Sequence, residues 1–260
     1  ALEPMVTTGL EVPVTAARFL IGGGSLVVAG SDGSVTVLLE VPRVEVENRG
    51  SRPLQAAGTV IGAGEAAVVA DDEVGRRLAA RPDVVLTPAP PQWTAVRRLE
   101  AMPARPTTIA PADRRRDFAV GAADGTVALY HSTSGRRLLV DRWSLEPVRS
   151  LAIDPKGDGA VMVSAGEVLR RTISNPHPEI SFRTLFLPVW YEAHAAPRWV
   201  WQSTGGSDAF EPKLSVWPLV FGTLKATLYA MVISVPLALM AAVYVSQLAP
   251  SWLQSLVKPT

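Results

Sequence analysis

Apolar and polar positions along this chain follow two patterns that do not mix. Up to about residue 175 the apolar residues come in short runs broken by turn residues. Residues 19–21, 26–29 and 35–39 are β-prone runs, divided by Gly22, Gly23 and Gly24 and then by Ser31, Asp32 and Gly33. An Asp-Gly pair between alternating apolar residues predicts a hairpin, because the turn needs positive φ and glycine supplies it without strain. From Trp217 to Gln247 the alternation gives way to continuous apolarity, and the twenty residues from Ala226 to Val245 carry no charge. At about 1.5 Å per helical residue they span roughly 30 Å, the thickness of a bilayer's hydrocarbon core. That stretch predicts a transmembrane helix; the competing reading is a buried helix of a soluble protein, which rarely runs so long without a polar face.

The β pattern repeats. Residues 119–130 match residues 27–38 position for position, so that Asp124 and Gly125 stand 92 residues after Asp32 and Gly33. Two weaker copies, at 68–72 and 161–166, begin 40 residues after Val28 and 41 after Val120. A unit of about 40–50 residues holding several short strands and a turn is the signature of propeller blades. The lead-in at 148–159 resembles the inner strand and turn of WD40-like blades, although the Trp-Asp dipeptide is missing and Leu129 and Tyr130 stand near its place. The expected fold is therefore mainly β: a partial WD40-like β-propeller of about four blades over residues 1–175, with Asp32, Gly33, Asp124 and Gly125 as blade turns. A closed ring would need further blades upstream of Ala1. A β-sandwich with coincidental repetition is the alternative.

After Asn175, Pro176 and Pro178 stop the strands, and residues 176–216 form an aromatic-rich linker. Trp190, Trp199 and Trp201 lie there, Trp217 opens the helix, and Trp252 follows its far end. Tryptophan collects at membrane interfaces because its ring is apolar and its N–H is not, so this is read as an interfacial segment. The helix is placed at 217–248 and a cytoplasmic loop begins at 249–260. Within the helix Gly222, Ala226, Ala230, Ser234, Ala238 and Ala242 recur every fourth position, while Leu224, Leu228, Val232, Pro236, Met240 and Tyr244 form a bulky row two positions away. Apolar side chains gain nothing by leaving lipid for each other, so close backbone approach over small residues is what drives association. The small row predicts helix packing against partners outside this sequence, unless it reflects only the abundance of alanine. Lys225 lies near the N-terminal end, where its stem can snorkel to the headgroups, and Pro236 is tolerated in a membrane helix when neighbours satisfy the freed carbonyl.

Composition then removes several classes of function. The 25 basic and 24 acidic side chains leave a net charge of +1, which gives no nucleic-acid footprint. There is no cysteine, so disulfides and thiolate chemistry are excluded. The mean hydropathy of +0.20 is high for a soluble protein, and much of the excess sits in the last quarter. His131, His177 and His194 are scattered, which suits surface or loop residues better than metal ligands. The glycine-rich residues 62–67 lack the helix and the later acidic residue of a dinucleotide site, and Asp71 and Asp72 come too early. Ser255 and Lys258 satisfy a Ser-x-x-Lys spacing without its companion motifs. Arg76 and Arg77, the run Arg114, Arg115 and Arg116, and the pair Arg136 and Arg137 sit at predicted turns, where solvated charge or an anion site are the two readings. No catalytic constellation, metal ligand set or cofactor is expected.

The C-terminal residues add a resemblance. Residues 210–230, then 235–244 and 248–253, with Gly222, Thr223 and Leu224 ahead of an apolar run and Val235, Pro236, Leu237 and Ala238 inside it, look like the second transmembrane helix and following loop of phosphate ABC transporter permeases of the PstC type. About 200 residues stand where the short form has a modest loop, which resembles the extended form carrying a periplasmic propeller-like insert. The resemblance implies a permease fragment in a bacterial inner membrane, with residues 1–216 periplasmic. It implies as partners a second permease subunit, a cytoplasmic ATPase and a periplasmic phosphate-binding protein, besides the lipid bilayer. The flanking charges agree weakly, with Lys258 inside and Asp208, Glu211 and Lys213 outside. Two alternatives stay open: a membrane-tethered propeller serving as scaffold or sensor without transport, and a soluble propeller enzyme.

Overall fold

The alternating runs form strands, and the strands form three mainly antiparallel sheets with one satellite. The computed structural model describes residues 7–8, 10, 12–71, 77–206, 210–248 and 250. Asp72, Arg76 and Asp208 lie outside these, as does all but Pro250 of the loop expected over 249–260, with Trp252, Ser255 and Lys258. The chain divides into two units, Ala1–Ser215 and Val216–Thr260.

In the first sheet, strands β1 (Thr7–Thr8), β2 (Val14–Phe19), β3 (Ser25–Gly30) and β4 (Val35–Asn48) are followed by an excursion of three short strands, β5 (Leu54–Ala56), β6 (Thr59–Ile61) and β7 (Ala66–Ala70), before β8 (Val84–Arg98) returns to pair with β4. The second sheet is the meander β9 (Pro106–Pro111), β10 (Asp117–Ala122), β11 (Thr126–His131) and β12 (Arg136–Arg142). The third is β13 (Ser150–Ile153), β14 (Gly159–Val163) and β15 (Val168–Thr172). Strands β2, β9 and β13, one from each sheet, lie against one another in turn, as inner strands of adjacent blades do. This is a partial WD40-like β-propeller.

Strands β10 and β11 are buried at every position, because their sheet stands between the other two. Phe118, Val120, Ala128 and Tyr130 point to one side and share a core with Val27, Val37 and Leu39 of the first sheet. Ala119, Val127 and Leu129 point to the other and meet Leu151, Ala160 and Met162 of the third. A strand's two-residue period thus fills two inter-blade cores from one run of sequence. The rings of Phe118 and Tyr130 stack with centroids 5.4 Å apart. Gly121 lies between them in sequence, and a Cβ there would come within 2.5 Å of Val148 Cγ1.

Three of the four repeat copies head a blade hairpin, and the copy at 68–72 does not. Its residues 68–70 lie in β7, which pairs with residues 43–47 of β4. Strands β4 and β8 run on past the first blade as one long ladder, and this extension with β5, β6 and β7 closes a separate core of Val44, Val46, Leu54, Ile61 and Val69. The satellite accounts for the 92-residue spacing, which is one blade plus an insertion. An apolar pair followed by Asp fits any strand end, so spacing alone could not separate the two cases.

Beyond β15 the chain does not remain a linker. Helix α1 (Phe182–Phe186) is closed by a capping box in which Ser181 Oγ accepts from the Thr184 N–H and Thr184 Oγ1 accepts from the Ser181 N–H. Val189, Tyr191 and Ala195 are buried, and strands β16 (Trp201–Gln202) and β17 (Lys213–Leu214) form a short antiparallel ladder. Residues 176–206 and 210–215 belong to the same unit as the blades.

The second unit is helix α2 (Trp217–Val243), ending in a π-helical turn, Tyr244–Leu248. Pro218 occupies the first turn, where a missing N–H leaves nothing unsatisfied. Pro236 deprives the Val232 carbonyl of its usual donor, yet the helix continues through it. The hydroxyls of Thr223 and Ser246 bond backward to the carbonyls of Val220 and Val243, at 3.0 and 3.1 Å. No residue of the helix is buried.

Candidate functional site

The predicted blade turns, residues 31–34 and 123–125, are short connections in which only the glycine takes positive φ. Gly33 has φ +90° and Gly125 has φ +84°. Asp32 Oδ1 accepts from the Ser34 N–H at 3.0 Å and from its hydroxyl at 2.6 Å, and the Asp124 carboxylate holds Thr126 in the same way at 3.0 and 2.8 Å. These bonds to Ser34 depress the Asp32 pKa. The glycine carbonyls then receive the chain that leaves the outer strand for the next blade: Met102 N–H donates to Gly33 O at 2.9 Å and Trp143 N–H to Gly125 O at 3.0 Å. The third blade keeps the glycine, Gly166 at φ +87°, with Ala165 in the aspartate's place.

Gly222, Ala226, Ala230, Ser234, Ala238 and Ala242 all lie on α2 and are exposed within their unit. Trp217–Gln247, with a mean hydropathy of 2.2, is long and apolar enough to cross a membrane. Polar side chains are few, so the helix has no face suited to water.

Sequence reasoning missed a buried ionic cluster that joins blades to the segment leading to the helix. Glu192 takes both terminal nitrogens of Arg116, with Nη2–Oε2 at 2.6 Å, and also accepts from Ser25 Oγ. Arg116 reaches the Ile21 carbonyl of the first blade as well. Arg97 donates to the carbonyls of Ser132, at 3.2 Å, and Trp190. Burial lowers the Arg97 pKa to about 10, opposed chiefly by Glu211. The arginine run at 114–116 is therefore not a solvated turn. Arg114 is exposed, but Arg115 donates to Gly157 O at 2.8 Å and lies 3.1 Å from Asp117, and Arg116 is buried. Arg136 and Arg137 also bind the fold, through Ile180 O at 3.2 Å and Ala101 O at 3.0 Å.

His131 corrects the reading of the histidines as surface residues. It is buried, its Nδ1 lies 3.0 Å from Ser134 Oγ, and burial together with the field of Arg97, Arg115 and Arg116 lowers its pKa to about 3. His177 is exposed beside Glu179, and His194 Nδ1 approaches the Glu192 carbonyl at 2.9 Å. Gly62 and Glu65 make a β6–β7 turn, the Gly62 N–H donating to the Glu65 carboxylate at 2.8 Å, which is not a phosphate cradle.

Between the arginine turn and residues 210–212 lies a cavity of about 390 Å³, walled also by His131, His177 and Glu179. Glu211 faces it with Oε1 buried and without a hydrogen-bond partner among the described residues. Burial raises the Glu211 pKa to about 7, against the pull of Arg116 and Arg97, and burial likewise raises Asp117 to about 6 against Arg115. The arrangement can hold a proton near neutral pH and can clamp residues 187–206 and 210–215. Among the described residues no group of three or more His, Cys, Asp or Glu could hold a metal ion.

No protein-family model matches this chain, and no curated protein does. Among solved structures it is similar to Sqt1 from Chaetomium thermophilum, with 18% identity over 60% of this chain and 29% of that one, at a TM-score of 0.37. Sqt1 of the same organism bound to the N-terminus of ribosomal protein L10 gives 17% identity, 60% and 31% coverage and a TM-score of 0.38. The chain thus spans under a third of the length of either match. The assignment of blades rests on the strand order and inter-blade cores given above.

Proposed function

We propose that this chain is part of the permease subunit of an ATP-driven phosphate importer, with a partial propeller on the periplasmic side of a bacterial inner membrane and α2 entering the membrane from there. The observation that carries this is α2 itself. It is apolar on all sides, no residue of it is buried, and a row of small residues runs along it. Such a helix has no stable place in water, and its small row suits close approach by neighbouring membrane helices. The likeness of residues 210–253 to phosphate permeases supplies the class of substrate.

In this reading the subunit performs no covalent chemistry. A periplasmic binding protein delivers phosphate, a cytoplasmic ATPase drives the alternation between outward and inward states, and α2 packs into the permease core beside a second permease subunit. The Arg116–Glu192 clamp would hold the blades against the segment from which the helix starts. The test is phosphate uptake by cells lacking the full-length protein. Loss of high-affinity uptake, restored by the wild-type gene, is expected. Unchanged uptake would overturn the transport reading and leave the membrane-tethered scaffold.

A further inference from the structure

The segment between β15 and α2 turns a set of large apolar side chains outward. Phe182 is 74% exposed, and its ring lies 4.9 Å from that of Phe186. Leu187, Trp199 and Trp201 are each 42–52% exposed. They form one patch: Trp199 Nε1 donates to the Phe186 carbonyl at 3.3 Å, and a bridge between Val189 and Arg198 closes the loop that joins them. Trp190 does not belong to it, because its ring packs against the blade core and its Nε1 donates to the His194 carbonyl at 2.7 Å. Contiguous exposed apolar surface of this kind marks a contact site in a folded protein.

The covalent chain says what the patch meets. Trp201 pairs with Leu214, and the Ser215 N–H donates to the Val200 carbonyl at 3.0 Å. Helix α2 begins at Trp217, three residues after Leu214. Three residues reach at most about 11 Å, and paired strands lie about 5 Å apart. A bilayer that receives Trp217 is therefore within reach of residues 199–201, whatever angle the helix takes. Aromatic rings favour the boundary between headgroups and acyl chains.

We propose that Phe182, Phe186, Leu187, Trp199 and Trp201 form a collar that seats the blade unit on the headgroup layer of the bilayer that α2 crosses. The inference rests on α2 being a membrane span, and its test separates the two. The chain has no cysteine, so single-cysteine variants can each carry one nitroxide label. Phe182→Cys and Trp199→Cys would report on the collar, Val168→Cys on exposed β15 as the aqueous reference, and Val232→Cys as the bilayer reference. The full chain is reconstituted in vesicles of phosphatidylcholine and phosphatidylglycerol, and collisions with oxygen are compared with collisions with a water-soluble nickel chelate. The expected oxygen-to-nickel ratio at 182 and 199 lies between those at 232 and 168, and exceeds that at 168 by about threefold or more, as interfacial residues should. Ratios at 182 and 199 equal to that at 168, with 232 in lipid, would overturn the collar alone. A water-exposed 232 would overturn the span and the collar together.

Discussion

The Trp143 N–H donates to the carbonyl of Gly125 at 3.0 Å, and this bond ties the chain leaving one blade to the hairpin turn of the same blade. Gly33 and Met102 repeat it in the first blade at 2.9 Å. There is no room at the turn for a side chain: a Cβ on Gly125 would lie 2.0 Å from the Ser144 carbonyl oxygen. Gly58 has the same φ of +84° but open space around it. Gly125→Ala is therefore expected to cost about 2–4 kcal/mol and Gly58→Ala about 1 kcal/mol, since the first adds a backbone clash to the conformational strain. Urea unfolding in detergent, followed by tryptophan fluorescence, measures both. Equal losses would show that the turn does not anchor the inter-blade chain.

Glu192 holds Arg116 with both carboxylate oxygens in a buried setting. Removing the Glu192 charge takes from buried Arg116 the carboxylate that holds both its terminal nitrogens, at a cost of about 3–5 kcal/mol. Glu192→Gln should loosen the 187–206 segment before the blades unfold. Limited trypsin digestion reads this at Arg198, where the variant is expected to be cut several-fold faster than wild type. Unchanged cleavage at Arg198 would mean that the clamp is not what holds the segment.

Glu211 makes stability depend on pH in a known direction. Its pKa is raised by burial from 4.5 to about 7, so its contribution is fully present below pH 4.5 and is lost as pH rises through 7. Glu211→Gln should therefore be more stable than wild type at pH 8, by on the order of 1–3 kcal/mol, and no more stable at pH 4. His131 behaves oppositely. Its pKa is lowered to about 3, so its contribution is present above pH 6.5 and is lost as pH falls through 3. The acid limb should survive in Glu211→Gln. Thermal unfolding at pH 4, 6 and 8 checks both, and a parallel shift at every pH would contradict the assignment.

The blades were legible in the sequence because their signal is local. Asp32–Gly33 and Asp124–Gly125 carry their turn chemistry within four residues, and β10 and β11 announce their burial as unbroken apolar runs. The satellite was not legible, since β4 and β8 continue past the blade without any change of pattern. The ionic cluster was hidden for a different reason. Ser25, Arg97, Arg116, Glu192 and Glu211 come from five separate stretches, and nothing around each one distinguishes a buried charge from a solvated one. The aromatic segment was half legible: Trp199 and Trp201 are exposed, whereas Trp190 packs inward.

The small row on α2 gives a prediction about assembly. Ala230→Leu and Ala238→Leu put bulk where a neighbouring backbone should approach, and are expected to reduce phosphate uptake by the full-length protein several-fold at unchanged membrane abundance. Leu228→Ala, on the bulky row, should be milder. The opposite ranking would place the packing face elsewhere on the helix.

The most direct test of the central claim, that α2 crosses the membrane with the blades outside, is cysteine labelling in cells whose outer membrane has been opened. Val168→Cys in β15 and Gln247→Cys at the far end of the helix are each treated with a membrane-impermeant maleimide before and after the inner membrane is permeabilised. The account predicts that 168 labels at once and 247 only after permeabilisation. Labelling of 168 only after permeabilisation, or of both positions at once, would contradict it.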